Sequence, residues 1–494
     1  MSIDRLAGLV AALLLIGAPV AAQVPPGAVP ETAFDQATVK ADFAALYGTL
    51  EASHYDLYAR TPKAAYDRAF GKLDAEIEEP MTRAQTVALY QRFMAVGGIA
   101  HARIDEAGAA FSAYRKAGGA AFPLAVRVVG ERLYVVRNES GFADLAAGDE
   151  ILALNGRTAG QWLAFAPTEV SADTPYMLGA MMEWSFPRVL WSALGATPDF
   201  ELRLRRPGRP PFTAVVPART VAEMAAAAAR LPPTLNLSWE KREARMLGDG
   251  VVYLRPGPTY NVEGDEASMY DNRAFKAFID QSFESFLAAG AKDLILDLRD
   301  NPGGDNSFSD LMVAWFANRP FRFNARFRIK VSPATIASNR ARLDVAGNDP
   351  TGISAAMAAA YRDVAPGAVI DFPIPETRPR AGQQFEGRVY ALINRHSYSN
   401  TVAIAATLQD NRFATILGEE TSDLATTYGA MERFTLPRTA IAVGYPKALI
   451  VRPNGDLRAR GVVPDIPIPT PVLEGADDPV LQSALKIVLS RRPR

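Results

Sequence analysis

The sequence predicts an α/β protein whose largest domain is a mostly parallel sheet with helices, preceded by a helical domain and a β-rich domain. Three observations predict it. Between Thr38 and Val96 apolar residues (Phe43, Leu46, Tyr47, Leu50, then Phe70, Leu73, then Val87, Tyr90, Phe93) recur at three- and four-residue spacings. From Phe122 onward the texture is β, with the runs 122–129 and 132–137. Beyond Val251, strand-like and helix-like runs alternate: 251–254, 275–287, 293–299, 389–393 and 401–410. Such alternation builds parallel sheets, whose functional groups gather at the strand carboxyl ends.

With 494 residues, 49% hydrophobic and 22% charged, the chain can bury the cores of two to four domains. A net charge of -1 leaves no excess of Lys and Arg to neutralise phosphates, so no nucleic-acid partner is expected. The chain is read as four parts: a signal peptide 1–22, a helical domain 23–118, a β domain 119–218 and an α/β domain 219–494. Arg5, the apolar run 6–19 and Val20-Ala21-Ala22 have the order of a signal peptide, with Gln23 the first mature residue. A periplasmic or secreted protein without stable membrane insertion after cleavage is therefore expected. The absence of cysteine excludes disulfides, thiolate metal sites and a thiol nucleophile. No cofactor and no metal are expected, and covalent chemistry would fall to Ser, Thr, Lys or a carboxylate.

Asp35, Thr61-Pro62 and Met81-Thr82 are the expected helix starts. The helical domain closes on Gly97-Gly98-Ile99-Ala100-His101, where two glycines lead into a short strand carrying one of the three histidines of the chain. His54 reads as structural. In the β domain, Gly148-Asp149-Glu150-Ile151-Leu152-Ala153-Leu154-Asn155-Gly156 resembles the Gly-Asp-x-Ile-x-x-x-Asn-Gly signature of PDZ domains, which accept a peptide as an added strand. Residues 157–195, with Met177, Met181, Met182, Trp184 and Trp191, replace the usual short helix by a longer apolar segment.

Two turns at strand ends carry the chemistry. The run 293–299 enters Asp300-Asn301-Pro302-Gly303-Gly304, and adjacent glycines can turn backbone N–H groups toward a developing oxyanion. The run 389–393 enters Asn394-Arg395-His396-Ser397-Tyr398-Ser399-Asn400 before an Ala-rich helix. A serine there meets the free N–H groups of a helix start, either as a reactive alcohol or as an ordinary N-cap.

In order along the chain, Asp297-Leu298-Arg299-Asp300-Asn301-Pro302-Gly303-Gly304, the serine elbow, Gln409 to Thr421 and Gly461-Val462-Val463-Pro464-Asp465 resemble segments of the C-terminal processing (tail-specific) serine peptidases. The resemblance implies an α/β protease core, a ClpP/crotonase-like mixed sheet with helices, behind an N-terminal helical domain and a PDZ-like β domain. It puts the nucleophile at Ser399 and implies oxyanion donors at Asn400 and at Gly303 or Gly304. These enzymes usually activate the serine with a lysine, which the segment 422–429 lacks. The tricorn-like branch uses an earlier histidine instead, and His101 lies in the matching place as general base. Glu419, Glu420, Asp423 and Asp456 are candidate orienting acids, Lys447 is the fallback base, and His396 reads as packing or capping. The reaction implied is hydrolysis of a peptide or unfolded protein through an acyl-enzyme; the alternative is an inactive peptide- or ligand-binding protein on the same fold.

Overall fold

A computed structural model describes residues 33–264, 268–345, 350, 352–473 and 475–492, so the expected signal peptide lies outside the described residues. The chain forms two compact units. The first takes the chain up to Pro232 together with Ile329–Ile370 and Tyr428–Ala448; the second takes Pro233–Arg328, Asp371–Thr427 and Leu449–Arg494.

In the first unit, helices Gln36–Ser53, Lys63–Ala75 and Arg83–Ala95 start at the residues their capping chemistry selects. Asp35 accepts from Thr38 N–H, Pro62 precedes the second helix, and Thr82 with Gln85 forms a capping box. Their apolar faces meet in a core around Phe43, Tyr90 and Phe93. Leu436, Ile441, Val443 and Tyr445 complete that core, and Val443-Gly444 pairs with Arg103–Ile104. Hence Ile329–Ile370 and Tyr428–Ala448, as well as 219–232, fold with the N-terminal part although they lie in the range 219–494. The histidine-bearing strand is only Arg103–Ile104, and His101 sits in the turn before it.

A second sheet of this unit orders Leu124–Val129, Arg132–Asn138, Glu150–Leu154, Asp199–Arg205 and Phe212–Pro217, each antiparallel to the next. Asn155 and Gly156, at φ 45° and 76°, make the tight turn their chemistry favours. The apolar insertion is the helix Pro175–Leu194, which packs on the edge strand 124–129. Glu183 accepts the Val128 N–H at 3.0 Å and faces Arg127 Nε at 3.1 Å, so this helix satisfies a donor on the sheet edge.

The second unit is organised by one six-stranded sheet: β1 (Glu243–Gly248), β2 (Val251–Arg255), β3 (Asp293–Asp297), β4 (Arg388–Ile393), β5 (Thr415–Gly418) and β6 (Ile466–Pro467). β1 is antiparallel to β2 and all other neighbours are parallel. Residues of β2 to β5 alternate between two cores, because successive side chains leave a strand on opposite faces. Val252, Leu294, Ala391 and Ile416 pack under α1 (Arg273–Ala288), α2 (Asn306–Val313) and α3 (Asn400–Asp410). Val251, Ile295, Leu392 and Leu417 pack under α4 (Pro479–Ser490). Both faces are covered, which explains the unbroken apolar runs. β3 and β4 are adjacent although some ninety residues apart in sequence, so the turns that follow them meet.

Candidate active site

The two turns are joined by polar side chains placed just beyond the strands. Asn394, the first residue after β4, donates to Asp300 Oδ1 at 2.7 Å and accepts from Asp300 N–H at 3.1 Å. Tyr398 N–H donates to Asn301 O at 2.9 Å. Ser397 Oγ donates to Leu298 O at 2.8 Å and accepts from Asn394 N–H at 3.1 Å, so Ser397 pins the elbow to the neighbouring strand end and caps no helix. His396 has its N–H on Asn394 Oδ1 and its Nδ1 3.3 Å from Asp300 Oδ1. Burial pushes the Asp300 carboxyl upward, but the hydrogen bond from His396 and that from Asn394 outweigh it and hold the group well below the usual range.

Ser399 occupies the junction with α3 in a conformation an L-residue rarely adopts, φ 53° and ψ -123°. Its side chain makes no capping bond, which separates it from the ordinary N-cap. Its N–H donates to Asp423 Oδ2 at 2.6 Å. A strained strand-to-helix turn that leaves the hydroxyl uncapped is the arrangement of a nucleophile elbow. Gly303, at φ 85°, lies directly against it: a β-carbon there would stand 2.6 Å from both Asn400 N and Tyr398 O and 3.0 Å from Ser399 Cβ. Glycine is therefore required at 303 for close approach as well as for its dihedral.

The expected oxyanion donors divide. Gly303 N–H is already engaged with Asn301 Oδ1 at 3.0 Å. The N–H groups of Gly304 and of Asn400, at the open first turn of α3, have no acceptor among the described residues. The Asn400 side chain donates to Thr259 Oγ1 at 3.1 Å and to Ser309 Oγ at 3.0 Å.

Of the four candidate acids, Asp423 holds the Ser399 backbone N–H. Glu419 pairs with Arg395 at 2.6 Å, Glu420 with Arg460 at 2.8 Å, and Asp456 with Arg458 at 2.6 Å. The other two motifs brace this region. Asp465 accepts from Ile416 N–H at 2.8 Å and Gln409 Nε2 at 2.9 Å, and a β-carbon on Gly461 would lie 1.9 Å from Thr421 O. Thr259, Asn301, Asn394 and Ser309 were not legible as site residues. An Asn placed just after each of β3 and β4 was the available signal.

In the first unit, His101 is buried in a turn held by Ala100 N–H donating to Asp173 Oδ2 at 3.0 Å, with Asp173 paired to Arg60 at 2.8 Å. Burial, with Arg103 adding to it, lowers the imidazole to about 3, so it is neutral at ordinary pH. Lys447 is also buried, its ammonium bonded to Glu432, which Arg342 holds from the other side at 2.6 Å. Burial lowers Lys447 from its ordinary value against the opposing pull of Glu432. His54 is fully buried, with neither ring nitrogen hydrogen-bonded. No group of His, Asp and Glu among the described residues could hold a metal ion.

Three solved structures share this fold. Mature CPAF aligns with TM-score 0.58 and 18% identity over 88% of this chain and 93% of that one. Mature CPAF complexed with lactacystin gives 0.57 and 18% over 92% and 97%, and the CPAF s499a mutant 0.58 and 18% over 92% and 96%. No curated protein matches by sequence. Residues 267–468, which contain both turns and α3, match peptidase family S41. Over residues 267–468, then, the chain is that of a serine-type peptidase of family S41.

Proposed function

We propose that this protein is an exported endopeptidase, periplasmic or secreted, that hydrolyses peptide bonds of unfolded protein through an acyl-enzyme. Ser399 Oγ attacks the carbonyl carbon while His101 takes its proton. The carbonyl oxygen, now an anion, receives the N–H groups of Asn400 and Gly304. Collapse breaks the C–N bond as His101 returns the proton to the leaving amine. Water then repeats the sequence on the ester and frees Ser399.

The observation that carries the reading is Ser399 itself, held at φ 53° with no cap bond beside two open N–H groups. With a histidine as base, the proposed site resembles that of the tricorn-like branch of the family. Lys447, engaged by Glu432, fits a structural part. The sheet from Leu124 to Pro217 is read as a PDZ-like domain whose edge at 124–129 is occupied by its own helix, and residues 33–118 as the N-terminal helical domain.

Stopped-flow cleavage of an activated peptide ester tests this. The expected result is a burst of one product per chain, with the acyl group recovered on Ser399 by mass spectrometry. Bound but uncleaved peptide, with no burst, would instead identify a binding protein on this fold. N-terminal sequencing of exported material should read from Gln23.

A further inference from the structure

We propose that Thr259 is the positioning residue that sets both oxyanion donors, an inference that rests on the reading of Ser399, Asn400 and Gly304 above. An oxyanion site is effective when its donors are fixed before charge develops. Neither N–H has an acceptor of its own among the described residues to fix it. Asn400 stands at an open helix start, and Gly304 is a glycine at φ 141° on the surface.

Thr259 reaches each donor by a separate group. Its Oγ1 accepts from Asn400 Nδ2 at 3.1 Å, tying the first residue of α3 to the segment that leaves β2. Its N–H donates to Gly303 O at 2.9 Å and its carbonyl accepts from Asp305 N–H at 2.7 Å. These two bonds bracket Gly304 on both sides and leave the Gly304 N–H itself uncommitted. The approach is close enough that a β-carbon on Gly304 would lie 2.2 Å from Thr259 O. Thr259 is wholly buried, and its segment is held in turn by Asn301 Nδ2 donating to Gly257 O at 2.7 Å. A third strand end, that of β2, thus holds the turns of β3 and β4 in register, and the hydroxyl of Thr259 is the group that bonds it to α3.

Thr259→Val keeps the shape and removes the acceptor. The expected result is a kcat lowered about 10-fold at unchanged KM, less than the about 100-fold loss of a donor itself. A peptide aldehyde, whose hemiacetal oxygen occupies the oxyanion position, should lose affinity by the same factor, and Thr259→Ser should restore both. Should the valine variant not fold, Asn400→Ala removes the same bond together with that to Ser309 and should give a paired loss at least as large. Raised KM with kcat and aldehyde affinity intact, or no rescue by serine, overturns the assignment. Wild-type enzyme that forms no aldehyde adduct at Ser399 overturns the reading of the site and the role of Thr259 with it.

Discussion

The Ser399 elbow and the Lys447 cluster are both polar constellations assembled from distant segments, and they differ in what they leave open. Glu432, 1% exposed, is bonded by Lys447, by Arg342 and by the Ser338 hydroxyl, so opposite charges close on each other. At the elbow, polar side chains bond the backbone of two turns, while the Ser399 hydroxyl makes no cap bond and two N–H groups face no acceptor. The first arrangement holds structure together. The second keeps donors and a strained alcohol ready for a group that is not part of the chain.

The sharpest way to break the comparison is to remove one member from each side. Ser399→Ala should lower peptidase turnover by more than about 10⁴-fold and leave the thermal midpoint nearly unmoved, since the hydroxyl carries no cap bond. Lys447→Ala should do the reverse. It leaves the Glu432 site with one cation fewer and should cost about 3–5 kcal/mol in denaturant unfolding. Turnover of the folded fraction should stay within a few-fold. His101→Ala should fall with the first group, losing about 10²–10⁴-fold in kcat/KM. A lysine variant that loses activity while the histidine variant keeps it would reverse the assignment.

Gly303→Ala sharpens the same contrast from the backbone. The added carbon would meet Asn400 N and Tyr398 O at 2.6 Å, so the elbow must shift. Ester-burst amplitude should drop before global stability does.

A smaller effect comes from a buried histidine outside the proposed site. Burial, with Lys330 adding to it, lowers His54 to about 3, against about 6.5 in an unfolded chain. The folded state refuses a proton that the unfolded state takes. The stability from keeping His54 neutral is thus complete above pH 6.5 and is lost as pH falls toward 3, with a slope approaching about 1.4 kcal/mol per pH unit. Denaturant titrations of wild type and His54→Phe between pH 7 and 5 should differ in slope by up to one proton. Equal slopes would show that His54 is not buried neutral.

Much of this was legible because local chemistry decided it. Asp35 and Thr82 cap helices on their own account, Asn155-Gly156 takes the positive φ its residues favour, and residues 389–393 are apolar throughout because both sheet faces are covered. The strands Thr427–Thr435 and Ala442–Val451 were not foreseen, nor that part of them folds with the N-terminal helices. Their pairing with Arg103–Ile104 spans more than three hundred residues, and no local pattern records such a partner. The strand-to-helix turn at Ser399 was legible from the apolar run before it and the Ala-rich run after it. Thr259 was not, because its role comes from one hydroxyl and two backbone groups at the end of another strand. Asp423 was weighed as an orienting acid, and in the structure it accepts the Ser399 N–H.

The central claim is that Ser399 is an activated nucleophile, and a fluorophosphonate probe tests it most directly. Peptide mapping of labelled wild-type protein should place a single adduct on Ser399, and the His101→Ala protein, equally folded, should label at a small fraction of that rate. A folded wild-type protein that takes up no label, or takes it up on another serine, would contradict the account.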